Sequence, residues 1–290
     1  MRARRAGFTL IELMVAMALT LFIMVILTQA FVLGLETFSA AKGIGDMQQN
    51  LRVATVLLRD DLSNDHFEGK RRLSDINIVT EKPQAGFVSV LQGSAATYEG
   101  NDPNGLPSFR AVDHVLYMTV KRRGNRQEQF FNTAFLAASA GDQTAMDAFF
   151  QAHQSDPGMS ANTPPHVAGM NPGRYSSQWA EVMYYLQRTG STEQPNNPND
   201  TTGTPTFSLM RAEFVMVPSE RAVSTTIPAG SQAMFQAISC NPSGANLQFY
   251  SPADAAQGQR LVPVGVALGS QAARIAPVST LVLANVLSFE

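Results

Sequence analysis

The sequence predicts an α+β fold, with one long N-terminal helix followed by a strand-rich domain broken by long irregular loops. Three observations carry this. After an arginine-rich start, residues 13–35 hold no formal charge. Met47, Leu51, Ala54, Leu58 and Leu62 then recur at spacings of 4, 3, 4 and 4, which is one apolar stripe of a helix. Beyond residue 67, short runs rich in Val, Ile, Tyr and Phe alternate with stretches rich in Gly, Pro, Asn and Ser.

Bulk composition narrows the function. A chain of 290 residues has room for one or two domains. Charged residues make up 15% and the net charge is −2, which excludes the strongly basic footprint of a nucleic-acid binder. The single cysteine, Cys240, excludes an internal disulfide and a cysteine-based metal cage. It reads as a small half-buried hydrophobe rather than a reactive thiol.

The helix begins behind Arg2, Arg4, Arg5 and Gly7. Leu13 to Leu35 is about 23 residues, enough to cross a hydrocarbon core of ~30 Å at ~1.5 Å per residue. The arginines precede the run and the next acid, Glu36, follows it. The positive-inside rule therefore places the N-terminus in the cytoplasm and the rest outside. Three readings compete for this segment. A cleaved secretory signal would have a shorter apolar core and a small-x-small site after it. An ordinary signal anchor fits the length but leaves Glu12 unexplained, and an acid at that depth is costly unless paired. A cut after Gly7 would give Phe8 a free α-amino group and make Glu12 the fifth residue, one helical turn away. Glu12 could then pair with its own N-terminus or that of a neighbouring subunit.

The stretch Arg5-Ala6-Gly7-Phe8-Thr9-Leu10-Ile11-Glu12-Leu13-Met14-Val15-Ala16 resembles the class III signal of type IV prepilins and type II secretion pseudopilins. The resemblance covers about the first 35 residues. It implies that a prepilin peptidase cuts after Gly7 and methylates Phe8, and that Glu12 guides docking into a growing filament. It also implies a long helix whose C-terminal half packs on an antiparallel β-sheet domain. The segments implied are a leader at 1–7, a transmembrane half-helix at 8–35, an amphipathic half-helix at 36–66 and a β-rich extracytoplasmic domain at 67–290.

Past the membrane the stripe needs a globular partner to cover it. Arg52, Arg59 and Asp60 lie off it. Gly43 and Gly45 each cost ~1 kcal/mol against alanine and mark a soft point. A helix from Phe8 to about Asp65 would be roughly 85 Å long. Glu68 to Arg72 ends it. Asp75–Val79 and Phe87–Leu91 read as short strands, and Asn101 to Gly105 as a turn. His114–Lys121 is a strand, with Val115, Tyr117 and Thr119 on one face and Leu116, Met118 and Val120 on the other. Phe130–Ala137 fits strand or helix. Ala138 to Tyr175 reads as a long irregular insertion with a short helix near Ala145–Ala152. Trp179–Gln187 and Phe207–Val217 are strands, separated by far more than the two to five residues of a usual hairpin loop. Ser219–Gln232 and Asn241–Gln259 are loop-like. Leu261–Leu268 and Thr280–Phe289 close the chain as strands, the last either pairing at the terminus or marking an incomplete chain.

The later strands resemble those of the J-type minor pseudopilins and W-type minor pilins. The residues are Val115-Leu116-Tyr117, Glu181-Val182-Met183-Tyr184-Tyr185-Leu186 with Leu209-Met210-Arg211, and Ala284-Asn285-Val286-Leu287-Ser288-Phe289. The length also fits a minor subunit. The lone cysteine excludes the C-terminal disulfide loop common in major pilins.

No catalytic constellation is visible. His66, His114, His153 and His166 form no His-Glu-x-x-His pair, and neither a nucleophile elbow nor a phosphate loop is present. Asp60, Asp61 and Asp65 read as a solvated helix face beside Arg59 and Lys70, not as a Ca²⁺ or catalytic pair. Asp102 and Asp200 read as turn residues. The basic run Lys121-Arg122-Arg123-Gly124-Asn125-Arg126 reads as a solvated turn. The expectation is thus a non-enzymatic minor subunit with no cofactor or metal, in the inner (cytoplasmic) membrane by one pass. Its partners would be prepilin peptidase, other pilin or pseudopilin subunits, an inner-membrane assembly platform and membrane lipid, with no direct nucleic acid. Two alternatives are a competence pseudopilin serving DNA uptake and a bitopic binding protein on a generic anchor.

Overall fold

The computed structural model describes residues 9–69, 71, 74–75, 77, 81–91, 96–101, 107–111, 114–124, 126–159, 168–169, 172–192, 205–218, 227–262 and 272–286. It divides into two compact units, Met1–Val53 and Ala54–Glu290. Helix α1 runs Leu10–Ser63, and every described side chain from Thr9 to Val53 is exposed. Within the second unit the α1 side chains that are buried are Ala54 and Asp61, with Leu57 and Leu58 half-buried. The expected stripe is thus only partly covered. Met47, Leu51 and Leu62 stay exposed, and an acid takes the place one turn beyond Ala54 and Leu58.

The second unit is built on a five-stranded antiparallel sheet in the order β1-β4-β7-β8-β11. The strands are β1 Val88–Leu91, β4 Val115–Lys121, β7 Trp179–Thr192, β8 Pro205–Val215 and β11 Ser279–Val286. Strands β7 and β8 pair from Ala180↔Val215 to Arg188↔Phe207, so the predicted pair does form a hairpin. Its connecting residues 193–204, with Asp200, lie outside the described residues. Strand β11 lies on β8 with two register shifts and a left-handed Asn285 (φ 57°). Bulges of this kind twist a sheet edge away from further pairing.

The period-2 alternation read in β4 holds, because each sheet face is covered. Met118, Val120, Val182, Tyr184 and Leu209 belong to one core cluster, with Leu58 of α1 packed against it. Val115, Tyr117, Met183, Tyr185 and Phe214 belong to the other, with Tyr250, Leu261 and Ile275. Thr119 is also buried; its hydroxyl donates to the His66 carbonyl at 2.8 Å and accepts the Phe87 amide at 2.9 Å.

Several elements differ from expectation. The short helix expected near Ala145–Ala152 inside the insertion is longer, helix α2 spanning Ala140–His153. Ser139 caps it by accepting the Asp142 amide at 3.1 Å. Ala145, Met146, Phe149, Phe150 and His153 form its buried stripe. Beneath it lies a two-stranded ribbon, β5 Phe131–Phe135 with β6 Gly173–Ser177, which settles Phe130–Ala137 as strand. A Cβ on Gly173 would run into the Phe150 ring, so only glycine lets α2 approach this closely. The stretch read as a loop from Asn241 holds most of a hairpin, β9 Cys240–Ser243 with β10 Asn246–Phe249. It also holds helix α3, Pro252–Ala256, under a Ser251/Asp254 capping box. A short helix α4 spans Ala272–Ile275. A ribbon of β2 Ala96–Asn101 with β3 Pro107–Ala111 flanks the predicted turn at 101–105, most of which lies outside the described residues. So do most of Asp75–Val79 and, apart from buried Leu261 and Val262, the strand expected over Leu261–Leu268. Residues 219–226, 287–290, Asp102 and His166 lie outside them as well.

Phe149 is the hub of an aromatic cluster. Its ring centroid lies 5.1–5.5 Å from those of Phe135, Tyr175, Phe235 and Phe249. Such fully buried rings leave a cavity when truncated. Phe149→Ala should cost about 3–5 kcal/mol in urea unfolding, and a loss below about 1 kcal/mol would contradict the hub role.

Glu181 is fully buried in β7. It accepts from the Tyr117 hydroxyl and from Ser239 Oγ at 2.8 Å. Burial raises its pKa above the ordinary 4.5, against the opposing effect of those donors. A carboxyl whose folded pKa is raised stabilises the fold below its unfolded pKa, and that contribution is lost as the pH climbs through the folded value. Glu181→Gln removes the dependence. Its stability relative to wild type should therefore improve as the pH rises past the ordinary carboxyl value of 4.5, and a flat or opposite trend in unfolding free energy would contradict this.

Candidate functional site

Of the three residues the sequence singles out, Gly7 and Phe8 lie outside the described residues and Glu12 lies in the first turn of α1. Its carboxylate is engaged within the chain. Glu12 Oε2 accepts the Thr9 amide at 2.8 Å and the Thr9 hydroxyl at 2.9 Å, and Thr9 Oγ1 accepts the Glu12 amide at 3.4 Å. This is a reciprocal capping box. It satisfies amides that the start of a helix leaves without partners, and it puts a negative charge at the positive end of the helix dipole. The sequence carries the signal for this box, Thr9-x-x-Glu12 ahead of an apolar run, although Glu12 alone stands out as the charged residue there.

From Leu10 onward α1 presents large apolar side chains to its surroundings all round: Leu10, Met14, Leu21, Phe22, Met24 and Phe31 are each more than 60% exposed. Among the described residues it is the one helix long and apolar enough to cross a membrane. A surface this apolar is unstable in water and is matched by hydrocarbon or by other helices.

A second polar constellation lies at the other end of α1, and here the sequence reading was wrong. Asp61 is not on a solvated face but 1% exposed. Arg211 of β8 grips it in bidentate fashion, Nε to Oδ2 at 2.7 Å and Nη2 to Oδ1 at 3.0 Å. The Tyr184 hydroxyl of β7 donates to Oδ2 at 2.5 Å, and Arg211 Nη1 also reaches Glu213 at 2.7 Å. Burial, with Asp61 beside it, pushes the Tyr184 hydroxyl well above its ordinary pKa, so it remains a donor. Asp65 is paired too, taking Arg123 Nε at 2.6 Å and Nη2 at 2.7 Å. These hydrogen bonds hold its carboxyl below the usual range. No local spacing reveals partners 150 residues away.

The basic run is likewise tied into the domain. Lys121 Nζ sits 5.0 Å from the Trp179 ring and the Arg122 guanidinium 4.1 Å from the Phe131 ring. Asn125 lies outside the described residues. The histidines are dispersed. Both ring nitrogens of His66 face carbonyls, Thr119 at 2.7 Å and Leu62 at 3.3 Å. His153 Nδ1 meets Asp156, which also accepts from Tyr175, and His114 stands apart before β4. Cys240 is wholly buried, burial pushing its thiol up while nearby Arg274 pulls it down. Among the described residues no group of three or more metal-ligating side chains comes together.

Thr9→Ala should remove the cap. At a cost of about 1 kcal/mol, amide exchange over residues 10–13 in lipid micelles should rise about fivefold. Exchange unchanged from wild type would show that the Thr9 hydroxyl does not hold Glu12.

Residues 2–28 match the family model described as the prokaryotic N-terminal methylation motif. No curated protein and no solved structure matches the chain. The motif implies processing by prepilin peptidase and assembly with other pilin subunits. Together with the one apolar helix at its start and the antiparallel sheet domain that follows, it supports membership of the type IV pilin and pseudopilin family.

Proposed function

We propose that the chain is a minor pseudopilin or minor pilin, nearest in kind to the J-type minor pseudopilins and W-type minor pilins. It is made as a prepilin and anchored by α1 in the inner membrane with its N-terminus in the cytoplasm and its sheet domain outside. It is then cut after Gly7 and methylated on Phe8. The observation that carries this is the methylation motif over residues 2–28 running into a helix of the required length. The length of 290 residues and the single cysteine favour a minor over a major subunit. In assembly, helices leave the membrane and pack side by side, and the sheet domain caps the filament tip and meets partners or cargo.

Glu12 has a definite task in this scheme. The cut creates an α-amino group at Phe8, and the carboxylate compensates that charge on an adjacent subunit inside an apolar bundle. A buried charge without a partner is strongly disfavoured, so pairing selects the register of assembly. The Thr9 cap then serves the subunit before assembly, when no neighbour is present.

Glu12→Ala should leave membrane insertion intact and lower co-purification with the other subunits several-fold; normal co-purification would sink the pairing. In a strain lacking the prepilin peptidase the protein should migrate more slowly on a gel than in the parent strain. Equal mobility in the two strains would instead favour a bitopic protein on a generic anchor.

A further inference from the structure

We propose that Asp61, Arg211 and Tyr184 form a latch that holds the last turns of α1 on the sheet as a separately opening unit, and that a pull along α1 reaches the sheet through it. The latch concerns only the second unit, within which residues 54–63 of α1 lie. The apolar hold on these turns is thin, consisting of buried Ala54 and half-buried Leu57 and Leu58. Leu58 is the α1 residue packed against a core cluster; the clusters are otherwise made by the sheet, the β5–β6 ribbon, α2, Phe87, Met159 and the segments after β8. The sheet therefore keeps its packing if this helical segment lifts away, the condition for local rather than global opening.

Contacts turn polar and directional beyond Leu58. Asp61 takes three donors in a buried site, two from one guanidinium at 2.7 and 3.0 Å and one from Tyr184 at 2.5 Å. Glu213 braces the same guanidinium from its other side at 2.7 Å. Apolar surfaces slide with little change in energy, because the hydrophobic effect has no direction. A bidentate arginine–carboxylate pair does not slide, because its fork fits one geometry. Displacing α1 along its axis therefore meets a discrete resistance at Asp61. Removing one partner of such a buried pair costs far more than losing a surface contact. The pull exists only if the subunit is drawn from the membrane, so that half of the proposal rests on the function proposed above; the latch itself does not.

The test uses the full chain in lipid nanodiscs, followed by hydrogen–deuterium exchange with mass spectrometry. Asp61→Asn keeps the shape of the side chain and removes its charge. Exchange of amides 57–63 should rise on the order of a hundredfold, with strands β4 and β7 unchanged. Leu58→Ala, at a half-buried position, should raise it less. A rise below tenfold for Asp61→Asn, a larger effect of Leu58→Ala, or a parallel rise in β4 and β7 each overturns the latch. In cells, Asp61→Asn should be cut after Gly7 as in wild type yet enter filaments several-fold less. Normal entry overturns the transmission of the pull, whereas failure of the cut in both wild type and variant overturns the proposed function instead.

Discussion

Helix α1 has to satisfy two surroundings with one run of sequence. From Leu10 to Val53 it exposes its side chains on every side, and most of them up to Leu35 are apolar. From Ala54 to Ser63 it is one-sided, with a narrow face on the sheet. Among the described residues the side chains of the first stretch are all exposed, and its apolar surface is matched by hydrocarbon or by other helices. The second is held by the sheet, through a short apolar contact and the charged pair at Asp61. The domain follows from this division. Its sheet needs two covered faces, and helix α2 with the β5–β6 ribbon supplies much of the cover on the face that Leu58 joins.

Acids at the two ends of α1 solve different problems. Glu12 is satisfied by two groups of Thr9, three residues away, so a lone subunit need not carry a bare carboxylate at its helix start. Among the described residues the partners of Asp61 lie on β7 and β8, so it reports whether the domain has folded around the helix. Of the two, only the contacts of Glu12 are local enough to exchange for those of a neighbouring subunit without disturbing the domain.

Much of this was legible in the sequence, for physical reasons. The stripe through Ala54 and Leu58 and strand β4 rest on simple periods, and the apolar run and strands β7, β8 and β11 on runs of apolar and aromatic residues, local features that survive folding. What was missed had other origins. Helix α2 was expected only near Ala145–Ala152, where Met146, Phe149 and Phe150 mark its stripe; its first turn, Ala140 to Thr144, holds no large apolar residue and was not read. The two capping boxes, Thr9 with Glu12 and Ser251 with Asp254, were readable by spacing and were passed over. Asp61 was misread because local sequence shows charge but not burial. Its partner lies on strand β8, 150 residues away, and nothing short of the sheet register brings Arg211 beneath it.

The central claim is that the working chain begins at Phe8, since that cut creates the charge Glu12 is proposed to meet. The most direct test is the intact mass of the protein recovered from its native membrane. The account predicts an N-terminus at Phe8 carrying one added methyl group. A mature chain that retains residues 1–7, or that begins at any other residue, would contradict it.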